Sequence, residues 1–284
     1  MGEATESEPV MAGPAGGSDA ASGRLLAAGP WLRWLAVVGW AEVVLLLAAS
    51  RAPDLRVPPI VAYAIAFMVV SGFAVISSFA CPRVGRRALA LLALPAAALL
   101  AVAAAGGADL DTAVVVTAAL LLGATLLGAV VGGAVEHPGH LIFVVVVSSA
   151  ADFFSVFHEA GPSHAIVESE VALSVLALPW PMLGTPNIEA FLGAGDLVFT
   201  ALYVAVARRH GLPLARTAVA LVLAYVATMA AVIALAATLP ALPFLGLGML
   251  LVHPSARKPP AQDRVRGTVV AALVVGAVAL MFLL

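Results

Sequence analysis

Charge is scarce in this chain. Asp, Glu, Lys and Arg make up 11% of its 284 residues, against about 25% in an ordinary soluble domain. A chain of this length folded in water still exposes about a quarter of the surface it had unfolded. With 63% hydrophobic residues and a mean hydropathy of +1.09, the polar groups needed to cover that exterior are missing. This excludes a soluble globular enzyme, a disordered protein and a nucleic-acid binder. The single cysteine, Cys81, has no partner for an internal disulfide. The net charge of −2 points to no partner. The start lacks the basic region of a secretory signal peptide and carries Glu3, Glu6 and Glu8 instead.

What is there is apolar sequence in long runs. Residues 1–30 read as a mobile tail rich in Gly, Ala, Ser and Pro. Nine apolar stretches follow, at about 31–50, 57–79, 88–105, 112–135, 141–157, 190–207, 217–238, 241–252 and 267–284. Most have the length a helix needs to cross a bilayer, and lipid offers unpaired backbone no partner. The expected fold is therefore all-α: a polytopic bundle of about nine transmembrane helices. It divides into the tail, N-terminal membrane helices at 31–135, a second group at 136–252, and a basic loop with a terminal helix at 253–284. The stretch 241–252 is short for a crossing, and the Gly-rich 112–135 has room for a break. Twelve basic residues fall on one side of this layout and two, Arg51 and Arg56, on the other. The positive-inside rule places the N-terminus in the cytoplasm. The Ala, Val, Arg and Gly bias points to a GC-rich prokaryotic genome, and so to a prokaryotic cell membrane.

Ionisable groups inside apolar spans are costly, at least about 2.5 kcal/mol each, and so mark function. Three acids qualify: Glu42, Asp152 and Asp196. Asp152 lies five residues before the end of its span, and Asp196 six residues after the start of the next. At 1.5 Å per residue both sit about 7–10 Å in from the same membrane face. Carboxylates that meet in a low-dielectric site cannot both ionise, so they share a proton. One then takes a proton from water while the other protonates a peptide oxygen. Gly193 and Gly195 leave the backbone beside Asp196 uncovered, so another chain can approach. Downstream, Leu239-Pro240-Ala241-Leu242-Pro243 interrupts any regular helix, and irregular backbone at membrane depth belongs against protein or a water-filled cavity.

Three elements, in order, carry a resemblance. They are Asp152 in an aromatic-rich helix, Gly193-Ala194-Gly195-Asp196 in the next, and Pro240-Ala241-Leu242 two spans later. Over residues 141–252 the chain resembles the presenilin and signal peptide peptidase family of intramembrane aspartyl proteases. The resemblance implies catalytic roles for Asp152 and Asp196. It implies that Gly193, Gly195, Pro240, Ala241 and Leu242 help hold an extended substrate. It also implies membrane-spanning helical peptides as substrates and no cofactor. The chain departs from the family in four ways. Ala151 stands where Tyr usually precedes the first Asp. That Asp falls in the fifth span rather than the sixth. The loop 158–189 is short, as in signal peptide peptidases and prokaryotic relatives, and the segment 267–284 lies beyond the usual last helix.

Other classes compete. A transporter or channel would use Asp152 and Asp196 for cation or proton passage. Prepilin peptidases share the Gly-x-Gly-Asp element, but a Lys normally follows it, where this chain has Leu197-Val198-Phe199, and they lack Pro-Ala-Leu. His137 and His140 beside Glu136 read as an ordinary polar turn rather than a metal site, with no further His or Cys cluster behind them. Glu42 reads as structural. Ser148, Ser149 and Ser155 read as hydrogen-bonding residues of the bundle. The apolar stretch Val171 to Trp180 reads as a helix lying at the membrane interface.

Overall fold

A computed structural model describes residues 57–80, 110–182 and 187–283, with a few helical positions between 37 and 48 and at 101. The tail, Glu42, Cys81, Arg51, Arg56 and the stretches 31–50 and 88–105 lie outside the described residues or mostly so.

The described chain is mainly helical. In order it forms α1 (Pro59–Ala80), α2 (Leu110–Ala134), α3 (Leu141–Phe157), the short α4 (Pro162–Glu168) and α5 (Glu170–Leu176), and a hairpin of β1 (Ala177–Pro181) and β2 (Ile188–Gly193). Then come α6 (Ala194–Arg209), α7 (Leu214–Leu235), α8 (Leu242–Val252) and α9 (Ala261–Met281). Five of these helices, α1, α2, α3 with its leading turn, α7 and α9, are long and apolar enough to cross a membrane. The stretch 112–135 has no break: α2 is one helix of 25 residues. Its glycines serve packing instead. A Cβ at Gly128 would meet that of Ala201 at 2.7 Å, and one at Gly132 would meet that of Ala205 at 2.9 Å. This Gly-x-x-x-Gly face lets α2 and α6 approach backbone to backbone, the geometry small residues permit between membrane helices.

Two sequence expectations change. The helical fold carries a hairpin, in which β1 and β2 pair antiparallel with Ala177 opposite Gly193 and Pro181 opposite Ile188. The expected interfacial helix over 171–180 stops at Leu176. Pro179 and Pro181 have no N–H to give a helix, and all five residues of β1 are buried, with Trp180 against Phe73 of α1. The same hairpin shortens the span expected at 190–207. Residues 190–193 are strand, and helix begins only at Ala194.

α8 is wedged into the bundle. Gly246 lies against Val145 of α3, and Gly248 against Ala220 and Ala224 of α7. At 11 residues it is about 16 Å long, half of a hydrocarbon core. It is too short to cross by itself.

The loops at one end of the bundle interlock. His210 meets the Val135 carbonyl at 2.9 Å, and His140 meets Asp263 at 3.1 Å. Gly139 packs on the Lys258 backbone, and Arg208 bonds the Phe79 carbonyl. All seven described basic residues, Arg208, Arg209, Arg216, Arg257, Lys258, Arg264 and Arg266, belong to this end. Glu159, Glu168 and Glu189 belong to the other.

Candidate functional site

Asp196 is the third residue of α6. Gly193, ending β2 with φ −68° and ψ 151°, is the helix cap. An acid at this position reaches back to the cap, and the Asp196 carboxylate turns to the Gly193 N–H. It also sits in the positive field of the helix start. The strand-to-helix junction thus fixes both the depth and the direction of Asp196. The glycines meet no crowding here. A Cβ at Gly195 would have nothing within 4 Å, and one at Gly193 would stand 3.7 Å from Asp196 Oδ2. With both glycines exposed, open space borders the carboxylate.

Asp152 lies on α3, five residues before its end. Its Oδ2 accepts the Leu242 N–H at 2.9 Å. That N–H is free because Leu242 opens α8, where the first donors have no partner within the helix. The next residue, Pro243, brings no donor at all. The first bond of the helix proper runs from Leu245 N to Ala241 O, 3.1 Å. Pro240 and Ala241 are buried, so this irregular backbone rests on protein.

The charge of Asp152 reaches Asp196, and both residues are half-buried. Their two helices do not pack side by side as the sequence layout suggests. Consecutive helices were expected to pack side by side, yet α3 packs chiefly on α8 and α9, and α6 on α2 and α1. α8 touches both α3 and α6, and its first residue bonds Asp152. Asp152, Asp196, Gly193, Gly195 and Leu242 are therefore brought into one region, each at a helix end or beside one.

The sequence expected neither of two buried tyrosines. Thr200, one turn below Asp196, bonds the Tyr225 hydroxyl of α7 at 2.8 Å, and Tyr225 lies within the field of Asp196. Tyr203, two turns below, is fully buried beside Ser148, with no hydrogen bond of good geometry to its hydroxyl. Thr200 and Tyr203 share the face of Asp196 by helical spacing, a legible signal. Tyr225 carries none. Ser155 bonds Ser163 at 2.7 Å, which ties α4 to α3. His137 accepts from the Gly139 N–H as part of the polar turn. No group of three His, Cys, Asp or Glu side chains arranged to hold a metal occurs among the described residues.

No family model, curated protein or solved structure matches the chain.

Proposed function

We propose that the protein is an intramembrane aspartyl protease that hydrolyses peptide bonds within transmembrane helices. One observation carries the reading: Asp152 and Asp196, from separate helices, come within each other's field at a site bordered by open backbone, and Pro240-Ala241-Leu242 supplies a backbone N–H to Asp152. In this mechanism one carboxylate takes a proton from a water as it attacks the peptide carbon, and the other protonates the carbonyl oxygen. The tetrahedral intermediate then collapses as a carboxyl group passes its proton to the leaving nitrogen. The gap beside Gly193 and Gly195 admits an extended substrate strand, and the strand β2 next to it offers a template for such a strand.

On this reading the whole chain is a presenilin-like bundle of about nine spans in a prokaryotic cell membrane. The basic end is cytoplasmic, the N-terminus lies on the same side, and substrates enter with their own N-terminus cytoplasmic.

The test is cleavage of a panel of helical peptides in proteoliposomes. Asp152→Asn and Asp196→Asn each reduce cleavage at least about a thousandfold, and the double variant loses no more, because the two acids act as one unit. Substantial cleavage remaining in either variant shows that the residue is not catalytic. The runner-up is a cation or proton carrier. The buried hydroxyls of Thr200, Tyr203 and Tyr225 below the acids favour it, and it predicts ion flux into the same liposomes that both variants abolish.

A further inference from the structure

Thr200 and Tyr225 are fully buried and share a 2.8 Å hydrogen bond. Two hydroxyls bring two protons, and one bond uses one of them. The second proton, on a pair closed to solvent, needs an acceptor of its own. Thr200 lies four residues after Asp196, so its hydroxyl rises along the helix toward that carboxylate. Tyr225 reaches the same carboxylate's field from the neighbouring helix. It is held in place by α1, with the Phe67 ring edge-on at 6.0 Å.

We propose that the Thr200–Tyr225 hydroxyl pair positions Asp196 for proton exchange, with the pair's second proton directed at its carboxylate. The proposal rests on the protease reading for its kinetic consequence, but not for its structural one. Asp196 is bounded by few other titratable groups. Asp152 comes from α3, and Tyr203 from α6 itself. Tyr63 of α1 and Glu189 of β2 lie at the hairpin, with the Tyr63 ring tilted against Phe191 at 4.9 Å. The described side chains of α2 and α8 bring none. Tyr225 and Thr200 act through Asp196 and are positioning residues.

Two readouts test this on the full-length protein in liposomes, using Tyr225→Phe, Thr200→Val and Thr200→Ser. The first is the pH–rate profile of peptide cleavage. The second is the infrared carboxyl band of Asp196, assigned by subtracting the spectrum of Asp196→Asn and followed across pH. Tyr225→Phe and Thr200→Val should lower kcat about tenfold with KM within a factor of about two. Both should move the pH profile and the infrared titration in the same direction, and Thr200→Ser should restore both. An unmoved profile and an unmoved band, even with a lower melting temperature, would reduce the pair to a structural tie between α6 and α7 and overturn the proposal. If the wild type cleaves nothing, the protease reading fails on its own, and the infrared titration still decides the role of the pair.

Discussion

The carboxylate of Asp152 has two jobs that substitution can separate. It accepts the Leu242 N–H at the start of α8, and in the proposed reaction it exchanges protons. Asn keeps an acceptor oxygen for the N–H, so Asp152→Asn should lose cleavage at an unchanged melting temperature. Leu keeps the volume and removes the acceptor, so Asp152→Leu should lose cleavage and also about 1 kcal/mol of stability, the usual worth of a helix cap. Thermal unfolding of the two variants in one detergent measures the difference. Outside the membrane-spanning helices, His253 follows the last residue of α8 and meets Thr217 at 2.9 Å. Burial first, then the charge of Arg216, hold its imidazole below its ordinary range. A folded-state pKa below the unfolded one means the unfolded chain binds the proton more readily. Stability should be fully present above about pH 6.5 and decline as pH falls below it. Melting temperatures between pH 8 and pH 5 should show this decline, and His253→Gln should flatten it.

Among elements, the α2–α6 contact governs where Asp196 stands, because α6 leans on α2 along most of its length. Leucine at Gly132 has no room against Ala205 and the Leu202 backbone. Gly132→Leu should cost about 1–3 kcal/mol and reduce activity further by shifting α6. Gly133→Leu, where a Cβ meets nothing within 4 Å, should leave both near wild type. Melting temperature and cleavage rate of this pair of variants check the claim. The helices themselves were legible because apolar length decides them residue by residue. The hairpin was not. Ala177–Pro181 and Ile188–Gly193 are apolar enough to pass for helix, and only their pairing and the burial of Trp180 make them strands.

At the scale of the molecule, the described basic residues collect at one end and the acidic loop of α4 and the hairpin at the other. If the basic end is cytoplasmic, a cysteine at Glu159 should label from outside the cell and one at Arg209 only after permeabilisation, both in a Cys81→Ser background. The reverse pattern would invert the topology and, with it, the preferred direction of substrates. α9 packs chiefly along α3, with Gly267 against Phe143 at one end and Phe282 against Phe154 at the other. It therefore reinforces the helix that carries Asp152.

By itself the sequence determined the apolar, mainly helical character of the chain and the place of each acid near a helix end. Hydropathy and the 1.5 Å rise act locally and add along the chain. It also marked a break before Leu242, since proline cannot continue a helix but fits its first turn. Which groups meet was decided only by the tertiary structure. The tip of α8 reaches Asp152 because Gly246 and Gly248 let α8 pack tightly on α3 and α7. Tyr225 reaches Thr200 because α7 crosses α6 at that level. These contacts join residues far apart in the chain, and close packing between surfaces, which no local sum of hydropathy contains, sets them.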